Sequence, residues 1–248
     1  MQLTYLLLRS HFFLSRYLDH NNITIIHNHD FLDLNRLQHL KLSYSNISVI
    51  QGNPFDALQD LGELYLDHNQ LTDEQLSANL TGPPSLHFLD LTSNRLDRFP
   101  NVSRSRFPIL TALLISQNNI WSLHHQEMGN LTYLRQLVIK NNYIEEIDND
   151  AFACCPNLTV LDLAFSRLTQ LPDMGRLPRL ANLHIPDSKL ESIPDLCTTN
   201  PLLLILEVER NKILSIPLFS HCNDMFSINL ADNQITELSN GTFGGLKS

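Results

Sequence analysis

Side chains able to do chemistry are thinly scattered along these 248 residues, and their spacing decides what chemistry is open to them. His124-His125 is the most tempting pair, yet no Cys, Glu or Asp joins it in a ligand-spaced cluster, and it reads as a polar turn on the outside of the fold. Cys154 and Cys155 are vicinal, with no C-x-x-C or paired-histidine spacing beside them, so they read as core filling and not as metal ligands. G-x-S-x-G, H-E-x-x-H and a glycine-rich phosphate cradle are all missing, in a chain with only 8 glycines. No catalytic residue, metal centre or cofactor is expected, and the chain reads as a non-enzyme. The chemistry it does carry is acceptor chemistry: N-x-S/T stands at Asn22, Asn46, Asn79, Asn101, Asn130, Asn157 and Asn240. Seven such sites favour a secretory route and N-glycosylation.

Something regular must position these residues, and the chain repeats itself almost everywhere. The stretches LGELYLDHNQL (61–71), LHFLDLTSNRL (86–96), LRQLVIKNNYI (134–144) and LTVLDLAFSRL (158–168) all follow L-x-x-L-x-L-x-x-N/S-x-L, the signature of a leucine-rich repeat. The ninth position falls at Asn21, Ser45, Asn69, Asn94, Asn118, Asn142, Ser166, Ser188, Asn211 and Asn233, with spacings of 24, 24, 25, 24, 24, 24, 22, 23 and 22. Ten repeats over 13–246 therefore fill a single domain, 1–248. One repeat cannot bury its apolar face alone, so the repeats must stack.

The fold class follows as α/β: a horseshoe solenoid with a parallel β-sheet on its concave face and loops or short helices on its convex side. Within each repeat L-x-L alternates and reads as a short strand with its leucines inward. The ninth-position amide is expected to satisfy backbone groups where the chain leaves the sheet, and Ser to do so with fewer bonds. Phe31, Phe55, Phe107, Phe152, Phe219 and Phe243 are the expected convex anchors. Arg16 is the plain departure, standing where the first repeat should carry Leu.

The formal net charge of −9, with no basic stripe, argues against nucleic-acid binding, and the acidity reads as ordinary solvated surface. No run approaches the ~20 apolar residues of a membrane helix. The opening MQLTYLLLRSHFFLS is interrupted by Arg9 and His11 and reads as a degenerate repeat end instead of a signal peptide. Both ends lack a cysteine-rich cap, and the chain is expected to be a piece of a longer protein.

Residues flanking the inward leucines should face the concave side. In the first four repeats these include Tyr17, Asp19 and His20; Lys41, Ser43 and Tyr44; Tyr65, Asp67 and His68; and Asp90. Aromatic side chains beside fixed charge are what protein interfaces favour at anchors, so this set is the candidate ligand site. Later repeats are more mixed, with Leu114, Val138 and Phe165 expected exposed in succession. Cys197 and Cys222 are 25 residues apart, close to one repeat, which brings neighbouring coils within disulfide reach; two free buried thiols are the alternative.

The contracted region is the most specific. LTQLPDMGRLPRLANLHIPDSKLESIPDLC (168–197) and ILSIPLFSHCNDMFSINLADNQITELSNGTF (213–243) resemble the middle of the ectodomain of leucine-rich-repeat-containing G-protein-coupled receptors, nearest to the R-spondin-binding subgroup. LDLTSNRLDRFP (89–100) and NNIWSL (118–123) fit in the same order, and the resemblance spans residues 13–246. It implies a horseshoe that captures a secreted protein ligand, R-spondin-like or hormone-like, on the N-terminal half of its concave face. It also implies a Cys197–Cys222 disulfide, and an extracellular location at the plasma membrane through a membrane domain that this chain does not contain. The implied aromatic-plus-Asp strand is matched by Tyr17 and Asp19, with His20 beside them. Two other classes compete: an extracellular adhesion or Toll-like repeat protein, and an intracellular scaffold with reduced cysteines.

Overall fold

The computed structural model describes residues 14–103, 105–219 and 221–246; the apolar stretch 1–13 lies outside them, as does the side chain of Asn79. Ten three-residue strands stack in chain order into one parallel sheet, from Ser15–Tyr17 through Glu63–Tyr65, Ala112–Leu114 and Val160–Asp162 to Ser227–Asn229. The register never slips: Leu40 faces Leu64, Leu64 faces Leu89, and the series continues to Leu206 against Ile228. Each of these strands is too short to stand alone, so its stability comes from the leucine beneath it. Leu40, Leu64, Leu89, Leu113, Leu137, Leu161, Leu183 and Leu206 are all fully buried, and burying such a side chain contributes ~1.5–3 kcal/mol. Arg16 takes the same place in the first strand, opposite Leu40, and is only partly buried.

The convex side is built from short pieces, as the repeat spacing implies. The helix Asp73–Asn79 starts at Thr72, whose hydroxyl accepts from the Gln75 amide, and the helix Leu196–Thr199 starts at Asp195 in the same manner. Phe31, Phe55, Phe107, Phe152 and Phe219 fill this side and are buried. Phe243 departs from the expectation: it stacks on Phe219 at 5.9 Å but is 40% exposed, because in the last described coil it has a neighbour on one side only. A further departure is that two flanking parallel pairs form outside the main sheet. Ile25–Ile26 pairs with Val49–Ile50, and Ser122–Leu123 pairs with Glu146–Ile147.

Where the chain leaves the sheet, the ninth-position amides form a ladder. Asn69 Nδ2 donates to the carbonyls of Leu42 (2.9 Å), Leu66 (3.0 Å) and Asp67 (3.1 Å), while its Oδ1 accepts from the Ile47 amide at 2.8 Å. Asn94, Asn118, Asn142, Asn211 and Asn233 repeat the arrangement. Ser166 and Ser188 link their two coils with fewer bonds: their hydroxyls meet at 2.8 Å, and Ser188 Oγ accepts from the Ser166 amide at 3.2 Å. The ladder thus thins where the period contracts to 22, and one coil later Cys197 and Cys222 are joined by a disulfide with Cα atoms 4.8 Å apart.

Candidate ligand-binding face

Because the register is straight, the fifth repeat position forms a column along the concave sheet. Tyr17 faces Lys41, Lys41 faces Tyr65, and Tyr65 faces Asp90. Lys41 Nζ lies 4.7 Å from the Tyr65 ring centroid and 5.5 Å from that of Tyr17, so one ammonium is shared by two aromatic faces. The Tyr65 hydroxyl donates to Glu63 Oε2 at 3.0 Å, and His39 Nδ1 meets the same oxygen at 2.9 Å. Burial, with the hydrogen bond to Glu63 adding to it, pushes the Tyr65 phenol up to about 12. Burial works against the Glu63 charge, but the hydrogen bonds from His39 and Tyr65 hold its carboxyl below the usual range. Phe88 completes the cluster, with its ring 5.0 Å from that of Tyr65.

His39, Glu63 and Phe88 occupy the third repeat position and were absent from the expected site. The signal was available: with the fourth position inward, strand alternation puts the third and fifth on one face.

The eighth position is stranger. At every repeat its residue has a left-handed backbone, with φ between 52° and 57° from His20 through Tyr44, His68, Ser93, Gln117, Asn141, Phe165, Asp187 and Arg210 to Asp232, and none of the ten is glycine. Each costs ~1 kcal/mol or more. The conformation aims the amide at the next coil, as in His68 N to Thr92 O at 2.8 Å and Gln117 N to Lys140 O at 3.0 Å, which extends the ladder past the strand. It also throws the eighth side chain outward. His20, Tyr44 and His68 consequently stack ring on ring, at 4.6 Å and 3.9 Å between centroids.

The seventh position is mixed, with Lys140 and Ala231 exposed and Thr92 and Glu209 half-buried. Ser43, expected on the open face, is buried, and so are Ser116, Ala164 and Pro186 at the same repeat position, which flank inward leucines and should by the same rule have faced out. Asp19 and Asp67 are partly turned in: Asp19 Oδ1 accepts from the Ser43 amide at 3.0 Å, and Asp67 accepts from the Ser43 hydroxyl and from His68 Nδ1 at 2.9 Å. Both carboxylates thus brace the face, Asp67 through both of its oxygens and Asp19 through Oδ1. Asp90 Oδ1 accepts from the Thr92 amide at 2.9 Å, and burial raises its carboxyl above the ordinary range.

Beyond Asp90 the column turns apolar and then acidic. Leu114 and Val138 are half-buried, not exposed as expected, because adjacent strands shield them; Phe165 is 51% exposed. His184 Nδ1 meets Glu207 Oε2 at 2.7 Å. Beside them Arg210 grips Asp187 with two bonds, Nε to Oδ1 at 2.6 Å and Nη2 to Oδ2 at 2.7 Å.

The convex side holds the remaining reactive groups. His124 has one partner beside it and one brought by the coil stack: Nε2 meets the Ser122 hydroxyl at 2.9 Å, and Nδ1 meets Asp148 Oδ1 of the next coil at 3.2 Å. The order is that of a serine–histidine–aspartate relay, but Ser122 is only 4% exposed. Asp148 also accepts from the His125 amide at 3.1 Å, and the three groups together clamp the turn. Cys154 and Cys155 are buried and unbridged. Among the described residues no group of three or more His, Cys, Asp or Glu is placed to hold a metal ion. Two open hollows of about 280 and 350 Å³ lie on this side and are lined mainly by polar groups, including Glu145 and Asp148 in one and Asp73 and Arg98 in the other. Asn22, Asn46, Asn101, Asn130 and Asn240 are exposed and Asn157 is half-buried, and none of the sequon asparagines occupies the third, fifth, seventh or eighth position.

The geometry defines a repeat protein with an open concave sheet. The family profile described as Leucine rich repeat matches residues 17–71, 40–96 and 108–168, and the chain belongs to that family. It is similar to lumican of Rattus norvegicus, 31% identical over 62% of this chain and 44% of lumican, and to podocan-like protein 1 of Homo sapiens, 30% identical over 86% and 42%. It is also similar to leucine-rich repeat-containing G-protein coupled receptor 5 of Xenopus tropicalis, 30% identical over 60% of this chain and 16% of the receptor. The aligned part thus spans less than half the length of each of these relatives. Among solved structures, the leucine-rich repeat domain of APL1B shares the fold at a TM-score of 0.68, with 21% identity over 88% of this chain and 61% of that one. An internalin, InlF, of Listeria monocytogenes follows at a TM-score of 0.61, with 20% identity, 88% and 59%. These relatives lie inside and outside the receptor group, so the comparisons reach the repeat family and not one receptor subgroup.

Proposed function

We propose that this chain is a non-enzymatic, extracellular protein-binding module that captures a secreted protein ligand on the concave face of its N-terminal repeats, within a G-protein-coupled-receptor-like protein. The observation that carries the reading is a pair of ring arrays on this face, Tyr17 and Tyr65 on either side of Lys41 with Phe88 against Tyr65, and the stack of His20, Tyr44 and His68, which together have the composition of an interface anchor. The seven sequons support it, since glycans at those positions would leave the concave face clear. The receptor relative supports the finer assignment. A second reading, an extracellular repeat protein outside the receptor class, draws on the longer alignment with podocan-like protein 1.

Biolayer interferometry of the secreted chain against a recombinant R-spondin, a relaxin-like peptide and a glycoprotein hormone tests the proposal. One probe should bind, and Tyr17→Ala combined with Asp19→Asn should weaken it at least ~10-fold, about 1.4 kcal/mol, with the circular dichroism unchanged. Unchanged affinity would place the ligand elsewhere, and no binding to any probe would remove the receptor assignment.

A further inference from the structure

Cys154 closes the turn Ala151–Cys154 on the convex side, and Cys155 follows it. Their Sγ atoms stand 2.7 Å apart, only ~0.7 Å beyond the length of a disulfide bond. Cys155 is fully buried and Cys154 is 7% exposed, and the other two cysteines are already joined to each other. Neither thiol has a role in the concave face, and a buried pair in such contact calls for more than two small core residues. The Cα atoms of neighbours across a trans peptide are held ~3.8 Å apart, below the ~4.4–6.8 Å that an unstrained disulfide takes. A bond between them would therefore be strained, and strained disulfides are the more easily reduced ones.

We propose that Cys154 and Cys155 form a reducible vicinal disulfide when this chain folds in an oxidising compartment. Cys154 is the more accessible sulfur. The hydrogen bond from Cys155 holds its thiol below the ordinary range, while that same contact, with burial, drives Cys155 far above it. As thiolate, Cys154 attacks one sulfur of a small-molecule or protein disulfide, whose other sulfur leaves as a thiol. Cys155 passes its proton to the remaining partner sulfur as it displaces it, closing the Cys154–Cys155 bond. Two protein thiols and one external disulfide become one protein disulfide and two external thiols, and two electrons pass to the oxidant. The Cys154 carbonyl accepts from the Leu131 amide at 3.1 Å, so closing the ring acts on the contact between two coils.

The test uses the full chain secreted from eukaryotic cells, which imposes an oxidising compartment whatever the native location. The protein is unfolded in denaturant with iodoacetamide and no reductant, then digested and mapped by mass. The peptide carrying Cys154 and Cys155 should bear no adduct and weigh two hydrogens less than the dithiol. In graded glutathione buffers the pair should open at a more oxidising poise than Cys197–Cys222. Two adducts on that peptide, or either sulfur found bonded to another cysteine, would overturn the proposal; opening only at a more reducing poise would overturn its reducible character. Cys154→Ser should leave one alkylatable thiol at Cys155, and if that variant does not fold, the wild-type peptide map decides by itself.

Discussion

Removing one rung of the asparagine ladder should cost far more than removing a serine at the same repeat position. Asn118 is 4% exposed; its Nδ2 donates to the carbonyls of Leu91 (3.1 Å), Ile115 (3.0 Å) and Ser116 (3.1 Å), and its Oδ1 accepts from the Leu96 amide at 3.0 Å. At ~0.5–1.5 kcal/mol net for each bond, four bonds give about 2–6 kcal/mol, and the stranded Leu96 amide keeps the value off the bottom of that range, so Asn118→Ala should destabilise by about 3 kcal/mol. Ser166→Ala loses a single hydroxyl contact, to Ser188, and should cost about 1 kcal/mol. Long repeat arrays can lose two-state behaviour, so urea unfolding followed by circular dichroism is best paired with hydrogen exchange at the Leu96 amide, which should lose protection only in Asn118→Ala. The same substitution should loosen Gln117, whose left-handed backbone the ladder supports. If Ser166→Ala proves as costly as Asn118→Ala, or if Leu96 stays protected, the ladder is not what holds these turns.

Replacing both Cys197 and Cys222 by Ser opens a loop with a sequence separation of 25 and should cost about 3.5 kcal/mol, read from the shift in denaturation midpoint. Glycopeptide mapping of the secreted chain should find Asn22, Asn46, Asn101, Asn130 and Asn240 occupied, and Asn157 largely bare, since it is half-buried and its Nδ2 donates to the Thr132 carbonyl at 2.8 Å. Glu63 has a folded-state value below 4.5, so its stabilisation is present above that pH and is lost as pH falls through the lower folded value. Glu63→Gln should accordingly flatten the acid limb of a urea-midpoint profile taken from about pH 7 to about pH 3, and an unchanged limb would remove His39 and Tyr65 as its stabilising partners.

What could be read in the sequence was whatever repeats in residue type. The leucines that face one another across every strand, the ninth-position amides and the 25-residue cysteine spacing are all visible as letters. The eighth position is not, because His, Tyr, Ser, Gln, Phe, Asp and Arg all accept the same left-handed backbone there. That conformation is imposed by the hydrogen bonds of the coil stack and not by the propensity of the residue, so no single residue announces it. The bracing bonds of the seventh-position carboxylates are equally silent in the sequence, since Asp19 and Asp67 each meet Ser43 of an adjacent coil. His124 shows the matching limit for clusters: its partner Asp148 is 24 residues away in sequence and one coil away in space.

The straight register has a consequence for how any ligand would seat. The fifth-position column runs Tyr17, Lys41, Tyr65, Asp90, Leu114, Val138, Asp162, His184, Glu207 and Asn229 without a step. Toward one end a single cation, Lys41, is shared between two rings with the Glu63 and Asp90 carboxylates near Tyr65; the middle is apolar, and toward the other end stand Asp162 and Glu207, the latter against His184. Like charge set against either end is repelled, and imperfect partners for buried polar groups cost more than neutral contacts gain. A ligand long enough to reach both ends therefore favours one direction, with a carboxylate at Lys41 and its cations toward Asp162 and Glu207. Lys41→Glu and Glu207→Lys made singly should each weaken such a ligand, whereas a ligand confined to the N-terminal repeats would respond to Lys41→Glu alone, so the pair of variants measures how far along the horseshoe the footprint extends.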